Sequence, residues 1–253
     1  YKMYYGPHNA VVVIAGDINV EAVWARIQEL YGSIPAGPEP PSVLAREPRQ
    51  RGLRRVRVRQ PGTTPYFLAA YHVNDGNSQD NYPLILLDAV LSGAGSMTFM
   101  GSSGAATHRS ARIYKALVDT EIAARAGVSY RPSIDPGLFY LSATPRAGRT
   151  LEALEAAFLA EVDRLLQDGV SEEELAKARK QARAQFAYAI ESASNQAFWL
   201  GFMEMLGGWE RFNTYLDDLD KVTVDEVNRV IQRYLALDNC TIGWFVPEVT
   251  VRE

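Results

Sequence analysis

The chain has 253 residues, 47% of them hydrophobic and 22% charged, with aromatics spread along its whole length, which excludes a disordered or low-complexity chain and provides for a large packed core. A net charge of −4 argues against a nucleic-acid surface as its main business, because phosphate binding calls for a concentrated basic patch. A single cysteine leaves no internal disulfide to form, and no run of about 18 apolar residues suggests a membrane span.

The sequence opens at Tyr1-Lys2-Met3-Tyr4-Tyr5, with neither a start methionine nor a charged-then-apolar leader, so it is expected to be a piece whose targeting signal lies elsewhere. Val11-Val12-Val13-Ile14-Ala15 is a continuous apolar run rich in β-branched residues and predicts a strand buried on both faces. Gly16-Asp17-Ile18-Asn19 turns the chain, and Asn19 is placed to N-cap a helix carrying Val23, Ile27 and Leu30 on one face and closed by Gly32. No Gly-x-Gly-x-x-Gly follows the strand, so a nucleotide site is not supported. Pro35, Pro38, Pro40, Pro41 and Pro48 then crowd one stretch, which predicts a semi-rigid linker. The chain is accordingly divided into a strand-helix unit over 1–33, a linker over 34–52 and a domain over 53–253.

Arg54-Arg55-Val56-Arg57-Val58-Arg59 alternates as a strand with one solvated face, a better reading than a polyanion site. The apolar run from Tyr66 to Val73 predicts a central strand. Asp80 or Asn81 is positioned to cap the next helix, with Pro83 in its first turn and Leu84, Leu87 and Leu91 on one face. The glycine- and serine-rich run from Ser92 to Gly104 reads as a loop; it matches no phosphate-binding spacing. A helix is expected over 112–118, and a strand over 123–130 returns through the turn at Pro132 to Gly137 as a hairpin with 138–143.

Leu151, Leu154, Phe158, Val162 and Leu165 make one helical face that Gly169 ends. Ser171 with Glu174 predicts a capping box for a long helix running past Ala178 and Phe186 toward Leu206, and Thr223 with Glu226 predicts a second box for a helix bearing Val227, Val230, Ile231 and Tyr234. A last strand covers 241–246. Strands and helices alternate with at least one hairpin, so the expected fold class is α+β, a mixed and largely antiparallel sheet with helices packed on it.

Chemistry-bearing residues are scattered. His8, His72 and His108 stand far apart, and neither His-x-x-Glu-His nor His-Glu-x-x-His occurs around them, so no catalytic, cofactor-binding or metal-binding residue can be assigned. Cys240 lies in an apolar run and reads as a buried inert thiol. His72 reads as a strand histidine and His108 as a residue of a polar loop, while Glu172, Glu173 and Glu174 read as a helix start that complements the dipole. Tyr130 and Arg131 lie near the hairpin and carry no assigned role.

Tyr4-Tyr5-Gly6-Pro7-His8-Asn9-Ala10, followed by the apolar strand and Gly16-Asp17, resembles a stretch of the M16 zinc peptidases, the family of pitrilysin, insulin-degrading enzyme and mitochondrial processing peptidase. Arg112-Ile113-Tyr114-Lys115-Ala116-Leu117-Val118, Asp135-Pro136-Gly137-Leu138-Phe139 and Gly169-Val170-Ser171 with Glu174-Leu175-Ala176-Lys177-Ala178 resemble pieces found in the same order in the family's second domain. The resemblance implies the M16 peptidase-like (LuxS/MPP-like metallohydrolase) fold and a noncatalytic C-terminal domain that helps form the chamber in which a peptide is cleaved. It implies zinc in the longer parent, held by a front domain that precedes this segment, and none in this fragment. Residues 11–15 would belong to that front domain's sheet, leaving an apolar edge through which the fragment could form a homodimer. In the family an Arg and a Tyr seven residues apart bind the substrate backbone and stabilise the oxyanion; Val118 and Arg125 stand at those positions, and a valine cannot donate a hydrogen bond to a developing negative charge. A second M16-like subunit supplying the Arg/Tyr pair is the implied partner. An inactive structural or assembly subunit is the alternative. A periplasmic or secreted bacterial setting follows from family habit alone.

Overall fold

The computed structural model describes residues 3–41, 45, 47–93 and 108–248. In chain order the helices are α1 (Val20–Tyr31), α2 (Asn81–Ser92), α3 (Leu151–Asp168), α4 (Glu172–Ala189), α5 (Ala193–Gly207), α6 (Arg211–Lys221) and α7 (Val224–Tyr234). The strands are β1 (Arg54–Pro61), β2 (Tyr66–Val73), β3 (Ala123–Tyr130), β4 (Gly137–Pro145) and β5 (Cys240–Glu248). The chain divides into two compact units, one of residues 1–48 and 190–212 and one of residues 49–189 and 213–253. The smaller unit thus includes residues 190–212, a segment that the sequence reading keeps within 53–253.

In the smaller unit Asn19 caps α1 as expected, its side chain accepting from the Ala22 amide at 2.8 Å. Residues 11–15 pair with no strand among the described residues, and Val11, Val12 and Ile14 are exposed. A strand is a paired state: its amides need a ladder partner, and an apolar β-branched run cannot supply one from its own sequence. Val13 lies against α5, close to Gly201. The single long helix expected from Ser171 to Leu206 is two helices. The chain leaves helical geometry after Ala189, and Ser192 N-caps α5 by accepting from the Asn195 amide at 3.2 Å. The apolar spacing continues through the break, which is why periodicity alone misses it.

The larger unit holds a five-stranded sheet in the order β1-β5-β2-β4-β3. Its β1–β5 pair is parallel and the other pairs are antiparallel, so the mixed, largely antiparallel α+β architecture is what the chain adopts. Strand alternation sends Phe67, Ala69, Tyr71 and Val73 of β2, Phe139, Leu141 and Ala143 of β4, and Ala126, Val128 and Tyr130 of β3 to one buried side. There α2 is buried along nearly its whole length, as its lack of a polar stripe requires. Leu154, Phe158, Val162 and Leu165 of α3 and Val227, Val230 and Ile231 of α7 complete the core, with Phe67 and Phe158 5.4 Å apart between ring centroids.

Both predicted capping boxes form. Glu174 accepts from the Ser171 amide at 3.0 Å while Ser171 Oγ accepts from the Glu174 amide at 3.2 Å, and Thr223 and Glu226 exchange the same pair of bonds. Asp80 does not cap α2 with its side chain. Its buried carboxylate instead takes Arg229 at 2.9 Å, Arg233 at 2.8 Å and the Tyr234 hydroxyl at 2.5 Å, tying α2 to α7. Residues 114–118 wind as a π-helical turn within the predicted helix. Arg112, just before it, reaches Glu174 at 3.0 Å, Glu161 at 3.7 Å and the Gly169 carbonyl at 2.9 Å, fastening that turn to α3 and α4.

Candidate functional site

Helices cover one side of the sheet, and the same alternation brings a second set of side chains to the other. Register fixes the rows. Val58, Phe245 and Tyr66 lie side by side; next come Val56, Gly243, Leu68, Ser142 and Gly127; then Arg54, Thr241, Ala70, Tyr140 and Ser129, with His72 beside Leu138. These residues are exposed or half-buried: Tyr66 is 52% exposed, Leu68 43%, Val56 51% and Leu138 45%. Tyr66 and Phe245 keep ring centroids 6.0 Å apart. The result is an apolar, aromatic surface with a polar margin of Ser142, Thr144, Arg125 and Arg54. Isolated exposed apolar residues are ordinary, whereas a contiguous patch of them marks a place where something binds.

The groups singled out by sequence do not converge on this face as reactive chemistry. His8 Nδ1 contacts the Ala36 carbonyl in the smaller unit. His72 is half-buried at the end of β2, its carbonyl accepting from Asn239 at 2.9 Å, and His108 packs against Gly93 at the end of α2, where a Cβ would meet the ring at 2.4 Å. The rest of the glycine- and serine-rich loop, from Ala94 on, lies outside the described residues. Cys240 is buried beside Tyr71, and burial pushes its thiol up, against thiolate formation. Tyr130 points into the core and donates to Asn81 at 3.1 Å, so it does not reach the open face; Arg131 is exposed. Val118 is half-buried in the π-helical turn, and Arg125 is exposed on β3 opposite Thr144, beside a β-bulge.

Zinc needs three or four His, Cys, Asp or Glu side chains brought together. Among the described residues no such group of three occurs, so the donors described do not fit a zinc site. The buried carboxylates Asp80, Asp88, Glu155 and Glu161 are each paired with side chains of the fold. Asp88 sits inside α2, where burial raises its pKa to about 8 against the lowering effect of Ser92 Oγ at 2.9 Å and the Tyr130 amide. Burial likewise raises Glu161, which Arg164 and Arg112 offset. Sequence reasoning missed Asp88 and Ser92; their i, i+4 spacing on an otherwise apolar helix is the signal that could have found them. No helix among the described residues is long and apolar enough to cross a membrane.

Comparison with known proteins agrees with this architecture. The family model described as "Peptidase M16 inactive domain" matches residues 1–182. A curated relative, zinc protease PqqE of Helicobacter pylori, is 26% identical over 201 residues, covering 78% of this chain and 42% of that protein. The chain therefore spans less than half the length of that relative. A protease of Helicobacter pylori has a solved structure that superposes with a TM-score of 0.86 at 22% identity over 97% of this chain and 57% of its own. A peptidase M16 inactive domain from Pseudomonas fluorescens gives 0.73 at 16% identity over 94% of this chain and 53% of its own. At such identities these two likenesses speak for the fold alone. The match across 1–182 carries the assignment: the chain belongs to the M16 zinc peptidase family, as its inactive C-terminal domain.

Proposed function

We propose that this chain is one wall of a peptide-cleavage chamber whose zinc and general base are carried by a front domain outside the sequence in hand. The observation that supports this most is the open face of the sheet. Tyr66, Leu68, Leu138 and Tyr140 remain exposed on central strands whose other face is fully packed, and such a surface suits contact with an extended peptide of varied sequence. Residues 11–15, apolar and without a strand partner among the described residues, are where the front domain's sheet would be joined. Val118 and Arg125 fill the positions of the family's Arg/Tyr pair, so the oxyanion donors come from a second M16-like subunit in this reading. The same two residues are the specific support for the alternative, an assembly subunit that cuts nothing.

Elemental analysis after dialysis against a weak chelator, on this chain and on a longer protein that contains it, tests the reading. The longer protein is expected to retain about one zinc and this chain none. A photoreactive residue in place of Tyr140 in the longer protein should then crosslink to a bound peptide. Near-stoichiometric zinc on this chain alone overturns the proposal; a longer protein with neither zinc nor peptide crosslinking selects the assembly subunit. Light scattering of the isolated chain should show self-association through residues 11–15, and a clean monomer at high concentration counts against that edge being open.

A further inference from the structure

Among the described residues β1 is the outer strand of its sheet, paired only with β5 in the strand order, and all eight of its residues are exposed. Alternate backbone N–H and C=O groups along it therefore point away from β5 with no strand among the described residues to receive them. The side chains above that free edge are sorted by face. Arg55, Arg57 and Arg59 stand in register with Ile242, Trp244 and Val246, while Val56 and Val58 stand on the opposite side in register with Gly243 and Phe245. Glu155 holds Arg55 at 2.7 Å. The Arg57 guanidinium lies over the Trp244 ring, 4.8 Å from its centroid. Stacking fixes the plane of a guanidinium while using none of its N–H donors, so Arg57 is oriented and still able to take a carboxylate.

Charged residues on an edge strand block casual strand addition. The block works by confronting an incoming strand with charge it cannot pair, and so the same row selects for a strand that brings the opposite charge. We infer that the free edge of β1 binds an extended peptide in which acidic and apolar residues alternate, added to the sheet as a further strand. The backbone ladder supplies affinity. Acidic side chains on one face of the added strand meet Arg57 and Arg59, and apolar ones on the other extend the row of Val58, Phe245 and Tyr66. A nucleic acid fits less well, because a phosphodiester backbone cannot continue a β-ladder and Arg55, Arg57 and Arg59 form one short row on a chain of net charge −4. The inference stands whether or not the chain walls a chamber.

Fluorescence anisotropy on the whole chain tests it, using a labelled peptide of about seven residues that alternates Val and Glu. The comparison probes are the same peptide with Lys for Glu, two versions N-methylated at alternate amides (the Val set or the Glu set), and an oligothymidylate. The Val/Glu peptide should saturate, the Val/Lys peptide should not, and one N-methylated version should lose binding while the other keeps it, because only one set of amides faces β1. Arg57→Glu combined with Arg59→Glu should weaken the Val/Glu peptide about tenfold or more and let the Val/Lys peptide bind, with an unchanged far-UV spectrum. No saturation by the Val/Glu peptide, equal binding of both N-methylated versions, or tighter binding of the oligothymidylate overturns the inference. If the double variant does not fold, the N-methylated pair on the unaltered chain decides it.

Discussion

The helix-covered face of the sheet and its open face are built from the same five strands by the same alternation, yet they obey different constraints. On the covered face each outward change of volume is felt by α2, α3 or α7, and the residues there are Phe67, Tyr71, Phe139 and Leu141. On the open face Tyr66, Leu68, Leu138 and Tyr140 are just as apolar but meet no packed layer of comparable burial. Apolarity without burial is not explained by stability. The contrast separates what this unit needs in order to fold from what it presents to other molecules.

The sharpest way to break that contrast is a pair of substitutions at neighbouring positions of β4. Phe139→Ala, on the covered face, should cost about 4 kcal/mol in urea unfolding, and Tyr140→Ala, on the open face, within about 1 kcal/mol. Equal costs would mean that the open face is packed in solution. Removing the buried anchor of the covering layer comes next. Asp80→Ala leaves Arg229, Arg233 and the Tyr234 hydroxyl without their shared acceptor and should cost about 3 kcal/mol, with little change in peptide binding to the sheet's open side.

Asp88 gives the covered face a pH signature. Burial raises its pKa to about 8, whereas in the unfolded chain an aspartate ionises near about 4, so between those values the folded state keeps a proton that the unfolded state has lost. Stability carried by the protonated carboxyl is therefore complete below about pH 4 and declines as pH rises toward 8. Asp88→Asn should flatten that decline and, at pH 7, stabilise the chain by on the order of 2 kcal/mol in thermal or urea unfolding. A variant with the slope of the parent would show that Asp88 is solvated. The smallest effect expected is at the cap of α7: Thr223→Ala breaks the box with Glu226 and should cost about 1 kcal/mol, lowering the stability of the covering layer without touching the open face.

Much of this architecture is legible in the sequence because its signals are local. Asn19, Ser171 with Glu174, and Thr223 with Glu226 announce helix starts by hydrogen bonds that reach only three residues. The hairpin of β3 and β4 follows from two alternating runs around a turn, and the alternation of β1 already sets Arg55, Arg57 and Arg59 on the face opposite Val56 and Val58. Signals that depend on a distant partner fared otherwise. Residues 11–15 have the composition of a strand and no ladder among the described residues; α4 and α5 have continuous apolar spacing and a break at Ser192; Asp80 sits at a cap position and its carboxylate is taken by α7, about 150 residues away in the chain. The open face was not legible at all, because Tyr66 and Phe67 differ by one position and only the side on which the helices land makes one of them core.

By itself, then, the sequence determined most of the helices and strands (though neither the break between α4 and α5 nor α6), the α+β class, the scatter of its histidines and the sorting of side chains to one side or the other of each strand. These follow from backbone hydrogen bonding and periodicity, which act over a few residues. Tertiary structure alone decided that β1 lies at the edge beside β5 in parallel, that α2 is buried with Asp88 and Ser92 inside it, and which face of the sheet stays bare. Those outcomes depend on contacts between segments far apart in the chain, whose energies no local pattern encodes.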